Sequence, residues 1–196
     1  MRTKLVIIPL LALLFSACKQ PVYKNPHVLI ETRLGNIELE LEAEKAPKTV
    51  QAFLAGVDSA RYKNTYFYRV LNVANQPSDA FKAELIQGGL WRNKRKISTE
   101  APRIPHEPTN VTGIKHEAGT ISMARLEPGT AGTEFFICIT AQPGFDFGGE
   151  NNEDKQGYAA FGHIVKGMDV AEKIYTERDT DQLLDPPVPI FNIRRL

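Results

Sequence analysis

Ile37, Leu39 and Leu41 alternate without a break with Glu38, Glu40 and Glu42. A period of two fits a pleated strand with one face buried and the other in water. The same constraint recurs along the chain. Residues 27–32 and 36–41 flank Leu34-Gly35 and read as a hairpin. Residues 66–70, 83–87, 119–124, 133–140, 159–165 and 188–195 are further short runs of apolar and aromatic residues, set between Gly and Pro turns. The period lengthens to that of a helix in two places. Val50, Phe53, Leu54 and Val57 follow i, i+3, i+4, i+7 behind Pro47, which suits a first helical turn. Residues 168–175 place Val170, Ala171 and Ile174 on one face. Many short strands with two helices predict a mainly β domain, an antiparallel sandwich or barrel. The stretch 90–118 is polar, proline-bearing and long for a loop, which makes it a candidate groove wall.

The N-terminus belongs to a different class of sequence. Arg2 and Lys4 precede an apolar run from Leu5 to Phe15, too short to span a bilayer comfortably. A basic head, a short apolar stretch and the small residues Ser16 and Ala17 read as an export signal. Leu14-Phe15-Ser16-Ala17-Cys18 resembles a bacterial lipobox with Cys18 as the lipidated residue. The expected organisation is a signal at 1–17, an anchor and tether at 18–26, and one domain at 27–196. The expected place is the bacterial cell envelope, on a membrane through the lipid, periplasmic or otherwise extracytoplasmic. With Cys18 acylated, Cys138 has no partner. Its setting in Phe135-Phe136-Ile137-Cys138-Ile139 reads as a buried strand, which suits a lone thiol in an oxidising compartment.

Composition excludes more than it selects. The 196 residues carry 24 Lys plus Arg against 23 Asp plus Glu, which gives no global pull toward nucleic acid. The basic run Arg92, Lys94, Arg95, Lys96 is short and lacks interleaved aromatics, so it reads as a solvated loop. His27, His106, His116 and His163 show no metal-ligand spacing, and neither a phosphate loop, a dinucleotide fingerprint nor a nucleophile elbow is present. No metal or cofactor is expected. A monomer is expected.

What remains is a set of strand residues with unusual chemistry. Arg69 interrupts the aromatic run Phe67-Tyr68-Arg69-Val70. Leu85-Ile86-Gln87-Gly88-Gly89, Ser122-Met123-Ala124-Arg125 and Glu134-Phe135-Phe136-Ile137 follow. Taken alone, Arg69 reads as a surface cation on a half-exposed strand. Residues two apart share a face, so Leu85 with Gln87, and Glu134 with Phe136, can line one groove while Ile86 and Phe135 enter the core.

These segments, in this order, resemble the signature of the cyclophilins. Phe67-Tyr68-Arg69-Val70 is similar to the family's Phe-His-Arg-Val segment. Gln87-Gly88-Gly89, Ser122-Met123-Ala124 and Phe135-Phe136-Ile137 match three more. Phe161-Gly162 and Val165-Lys166-Gly167-Met168-Asp169-Val170 match the closing strand and helix, and Gly144-Phe145-Asp146-Phe147-Gly148-Gly149 looks like the bacterial branch. The resemblance implies a closed eight-stranded antiparallel barrel capped by two helices. It implies peptidyl-prolyl cis/trans isomerase activity on proline-containing polypeptides, with the proline pocket on the outer face of the barrel. By resemblance Arg69 is the catalytic arginine. The substrate-binding set it implies is Phe67, Leu85, Gln87, Ala124, Arg125, Glu134, Phe136, Phe145 and Tyr158.

The chain departs from the family pattern at defined places. Arg69 and Gln87 are 18 positions apart, so residues 72–82 look inserted. Glu84 stands where the family has an aromatic, with Phe81 of the insertion as a possible substitute. Glu134 replaces a common Gln and Arg125 a common Asn, and the two are expected to pair across the groove. The tryptophan of many eukaryotic members is missing, and Trp91 lies in the long loop. Two rivals follow: a proline-peptide-binding or chaperone module with little turnover, motivated by Glu84, Arg125 and Glu134, and a hollow ligand barrel, which the density of apolar strand residues argues against.

Overall fold

The structure, a computed structural model, describes residues 23–79 and 81–196. The expected leader and Cys18 lie outside the described residues. The described residues form nine strands and four helices. The strands are β1 (His27–Thr32), β2 (Gly35–Leu41), β3 (Thr65–Leu71), β4 (Leu85–Gly89), β5 (Thr120–Met123), β6 (Phe135–Cys138), β7 (Ala159–Lys166), β8 (Asp179–Thr180) and β9 (Leu183–Arg195). All pairings are antiparallel, in the order β1-β2-β7-β5-β6-β4-β3-β9-β8. A β1–β9 pairing joins the ends, so eight strands close into a barrel and β8 is a two-residue addition to β9. Closure leaves no open edge among the eight.

The barrel is filled. Val28, Ile30, Ile37, Leu39, Phe67, Val70, Ile86, Ile121, Phe135, Ile137, Phe161, Val188 and Ile190 are buried in one cluster, each on the inward phase of its strand. Helix α1 (Pro47–Asp58) brings Val50, Phe53, Leu54 and Val57 onto that cluster, the four residues its periodicity singled out. Its N-cap, Ala46, has no side chain to offer. The buried carboxylate of Glu107 does the capping from 58 positions away, accepting from the amides of Lys48 (3.2 Å) and Thr49 (2.8 Å) and from the Thr49 hydroxyl (2.7 Å). An anion at a helix N-terminus is favoured by the unpaired amides and the dipole there. Helix α4 (Met168–Tyr175) buries Val170, Ala171 and Ile174, as its periodicity required.

The loop 90–118 differs from expectation. It carries two short helices, α2 (Arg95–Glu100) and α3 (Thr109–Thr112), neither of which has an apolar stripe long enough to announce itself. Glu107 ties it to α1. None of residues 90–114 joins the outer apolar cluster described below, while His116 near the end of the loop packs against two of its rings.

Candidate active site

The site begins with a misstep in β3. Phe67 lies opposite Gly88, but Arg69 lies opposite Gln87, so Tyr68 is an extra residue on that strand. The register against β9 breaks at the same place, Phe67 facing Val188 and Arg69 facing Leu183, but there the extra residues belong to β9. A bulge of this kind puts two consecutive side chains on one side. Phe67 therefore points inward and is fully buried in the core, which removes it from the groove residues expected from the sequence. Tyr68 turns outward with Arg69, where unbroken alternation would have sent it to the other face.

The result is a polar chain along the outer wall. Arg69 Nη1 donates to Gln87 Oε1 (3.2 Å), Gln87 Nε2 donates to the Tyr68 hydroxyl (2.9 Å), and that hydroxyl donates to Glu134 Oε2 (2.8 Å). Burial, and behind it the Glu134 carboxylate, push the Tyr68 phenol up from its ordinary value, so Tyr68 stays a neutral relay of hydrogen bonds. Arg69 also donates from Nε (3.2 Å) and Nη2 (2.6 Å) to Gln182 Oε1. Partial burial lowers the guanidinium pKa, but so strong a base remains a cation. All its side-chain hydrogen bonds go to neutral amide oxygens, which hold it without cancelling its charge.

Beside this chain lies a second apolar cluster on the outside of the barrel. Ala83, Leu85, Phe136, Cys138 and Phe145 are buried in it, with Leu71, Ala124 and Tyr158 packed at its edge. Register explains the grouping: Leu85 faces Cys138 and Gln87 faces Phe136 across β4 and β6, while Ile86 and Phe135 enter the interior. Phe136, Phe145 and Tyr158 meet edge to face, with centroids 5.3, 5.2 and 5.0 Å apart. That is the favoured aromatic geometry. Burial pushes the Cys138 thiol far up, so it is a packing residue and not a nucleophile.

A buried polar triplet supports the rings from behind. His116 is stacked on Phe136 at 6.1 Å and meets Phe145 edge-on at 5.8 Å. Its Nδ1 lies 2.9 Å from Asp146 Oδ1 and its Nε2 lies 3.0 Å from Ser122 Oγ. The order Ser-His-Asp has the spacing of a hydrolytic triad, but Ser122 is fully buried and no substrate atom can reach it. Burial pushes the Asp146 carboxyl up, yet the ring and backbone hydrogen bonds of His116, its charge and that of Lys115 bring it below the ordinary range. Sequence reasoning missed His116, Ser122 and Asp146 as a unit, because they meet only through the fold.

The expected Glu134–Arg125 pair does not form. Continuing the β5–β6 register puts Ala124 opposite Glu134, and the Ala124 amide does donate to the Glu134 carbonyl (2.9 Å). Arg125 is one residue further on and turns away. Its guanidinium bonds Asp154 (2.7 and 2.9 Å) and the Gly157 carbonyl (2.8 and 2.6 Å), and lies 5.2 Å from the Tyr158 ring. Glu134 accepts from the amides of Leu90 (2.9 Å) and Trp91 (3.0 Å) and from the hydroxyls of Ser98, Thr133 and Tyr68. Gly89 is required here: its φ is +143°, and a Cβ would run into the Glu134 carboxylate and the Thr133 carbonyl. Glu84 also turns away from the cluster, accepting from Tyr175 (2.7 Å) and Thr140 (3.1 Å). Phe81 does not fill its place. It is 59% exposed and lines an adjoining open cleft with Gln142 and Gly144.

The site as built is an apolar socket of aromatic rings with an oriented, uncancelled cation on its rim. Comparison with known proteins shows the family. The family described as cyclophilin type peptidyl-prolyl cis-trans isomerase/CLD matches residues 27–195. Peptidyl-prolyl cis-trans isomerase A of Dickeya dadantii is 38% identical over 151 residues, which covers 76% of this chain and 71% of that one. Peptidyl-prolyl cis-trans isomerase B of Escherichia coli is 34% identical over 148 residues, covering 75% and 82%. The crystal structure of a Cryptosporidium parvum cyclophilin type peptidyl-prolyl cis-trans isomerase superposes with a TM-score of 0.68 at 23% identity, over 88% of this chain and 98% of that one. A second structure of it, in the presence of the dipeptide Ala-Pro, gives 0.66 at 24% identity, covering 86% of this chain and 97% of that one. The chain belongs to the cyclophilin-type peptidyl-prolyl cis-trans isomerases and is an enzyme of that activity.

Proposed function

We propose that the chain turns X-Pro bonds by offering Arg69 to the twisted imide while the Phe136–Phe145–Tyr158 socket holds the proline ring. The uncatalysed barrier is about 18–20 kcal/mol, because rotation breaks amide resonance. At the top of that barrier the imide nitrogen is pyramidal and carries a freed lone pair. A cation that donates to that nitrogen, or to the adjoining carbonyl, stabilises the twisted form more than either planar form, and only such differential binding raises a rate. The observation that carries this reading is the placement of Arg69: opposite Gln87, which in turn faces Phe136 of the apolar cluster, and held by Gln87 and Gln182 through neutral oxygens. Leu85 and Ala124 complete the socket, and Gln87 engages one nitrogen of the guanidinium. Arg125 and Glu134 act at one remove, through Tyr158 and Tyr68. The rival binding-module reading drew on Glu84, Arg125 and Glu134, and all three turn their charge away from the socket.

The substrates on this reading are proline-containing polypeptides outside the cytoplasm, and the enzyme is held at a membrane by acylated Cys18. The leader carries that part, through its basic head, its short apolar run and the lipobox-like end at Cys18. Two experiments test the whole. Isomerisation of an X-Pro peptide by Arg69→Ala should fall by about 10² or more with peptide affinity kept, as for a lost transition-state donor. Arg69→Lys should recover little, because an ammonium lacks the planar fork. A folded Arg69→Ala protein of normal activity would end the mechanism. Cys18→Ser should move the full chain from the membrane to the soluble envelope fraction, and unchanged fractionation without fatty-acid labelling of the wild type would end the anchor.

A further inference from the structure

We infer that Gln182, braced by the inserted segment 72–82, is the positioning residue that aims the Arg69 guanidinium. The inference rests on the catalytic reading of Arg69 above and assigns a task to the insertion.

An arginine side chain has about 2 kcal/mol of rotamer freedom to lose, and its fork is useful only when its plane is set. Gln87 engages one nitrogen, Nη1, at 3.2 Å. One such bond lets the fork swing about it. Gln182 Oε1 takes the other edge, from Nε at 3.2 Å and Nη2 at 2.6 Å. The two amides together fix the plane from both sides. The guanidinium has five N–H donors, and these bonds use three. Two stay free for a substrate. A carboxylate in the place of Gln182 would hold the fork equally well but would also pair with its charge, which the reaction needs.

Gln182 is itself held on every side. It sits with Asp181 in the two-residue turn between β8 and β9, at φ +70°, as a tight hairpin turn requires. Its carbonyl accepts from the Val70 amide (2.8 Å), one residue from Arg69. Its amide N–H donates to Asp179 Oδ1 (3.1 Å). Its side-chain Nε2 donates to the Asn75 carbonyl (3.1 Å), and a carbonyl there requires the NH2 end, which leaves Oε1 for Arg69. Asn75 lies in the insertion. Asp179 ties the insertion to the turn: its two oxygens accept from Asn75 Nδ2 (3.0 Å) and Asn72 Nδ2 (3.2 Å). Asn75 Nδ2 also reaches the Val70 carbonyl (3.1 Å). Gln76 staples the base of the insertion to Ala83 through both ends of its amide, at 2.8 and 3.0 Å. Segment, turn and arginine form one hydrogen-bonded unit.

The test is kinetic and uses the folded chain. Gln182→Leu keeps the size of the side chain and removes its hydrogen bonds. It should lower kcat on an X-Pro peptide about tenfold, with KM and peptide affinity within twofold of the wild type. In an Arg69→Ala background the same change should cost nothing further, because groups that act as a unit are not additive. The Arg69 Nε–H resonance should shift and exchange faster with water in Gln182→Leu. Should that variant not fold, Asp179→Ala loosens the brace without touching Arg69 and should show the same kcat-only loss at about threefold. Unchanged kcat beside an inactive Arg69→Ala overturns the role of Gln182 alone. A further tenfold loss in the Arg69→Ala background, or a loss that falls on KM, assigns Gln182 to the turn and overturns it as well. A fully active Arg69→Ala protein instead ends the catalytic reading on which this one rests.

Discussion

Phe135 and Phe136 are adjacent in β6 and both are buried, yet they face regions built on different terms. Phe135 looks into the barrel, where Phe53, Tyr62 and Phe67 meet it edge-on at 5.7–5.8 Å. Phe136 looks outward to Phe145 and Tyr158, with His116 behind and Arg69 at the rim. The interior is closed on all sides and asks only for volume. The outer cluster is small and leans on buried polar groups. On the proposed reading, stability and function fall on opposite faces of the same strands, separated by the two-residue period of the pleat.

That division is broken most forcefully by paired truncations. Phe135→Ala opens a cavity with no way to collapse and should cost about 3–5 kcal/mol of stability, read from denaturant midpoints. Its remaining folded molecules should keep the KM of the wild type. Phe136→Ala should cost less, since its outer side can relax, and should raise KM for an X-Pro peptide at least tenfold. Equal destabilisation with both KM values unchanged would erase the distinction between the faces.

Much of this was legible in the sequence because it is local. The helical spacing of Val50, Phe53, Leu54 and Val57 and the alternation of Leu85, Ile86 and Gln87 are written within single elements, and each predicts its buried face. The failures are of another kind. Uniform alternation through β3 missed the bulge at Tyr68, because a bulge is a property of a pair of strands and not of one. The resemblance places Phe67 among the groove residues, whereas the bulge turns Tyr68 outward and leaves Phe67 in the core. Arg125 and Glu134 looked like partners by charge, but their true partners, Asp154 and the Leu90–Trp91 amides, come from loops with no periodic signal. Gln182 meets Arg69 across 113 positions and His116 meets Asp146 across 30. The pairing of β3 with β9 brings the first pair together, and the pairing of β5 with β6 the second.

The buried triplet behind Phe136 gives a sharper probe, because it belongs to the outer face alone. Asp146→Asn removes a charge-assisted bond to His116 and should cost about 1.5–3 kcal/mol near neutral pH. The sign with pH follows from the lowered carboxyl pKa. Its contribution is complete above the unfolded value near 4 and is lost as the pH falls through the folded value. Wild type and variant should therefore differ steadily above about pH 5 and converge in acid. A difference that grows as the pH falls would mean that Asp146 does not hold its charge through His116.

The smallest effect should come from the pair nearest the solvent on the same face. Arg125 holds down the loop behind Tyr158, and the hydrogen bonds of its guanidinium bring the Asp154 carboxyl to about 2. Asp154 is partly exposed, so solvent screens most of that attraction, and Asp154→Asn should cost only about 0–1 kcal/mol at neutral pH. The lowered pKa places the contribution above about pH 4, fading as the pH falls toward 2. Arg125 keeps its two bonds to the Gly157 carbonyl in the variant, at 2.8 and 2.6 Å in the parent, so the ring of Tyr158 should stay in place. KM should then remain within about twofold and kcat unchanged. Denaturation at pH 7 and at pH 2.5, with peptide kinetics at neutral pH, checks each part. A tenfold rise in KM from so exposed a substitution would make the 151–158 loop a wall of the socket, and the outer face would extend further from the barrel than Tyr158.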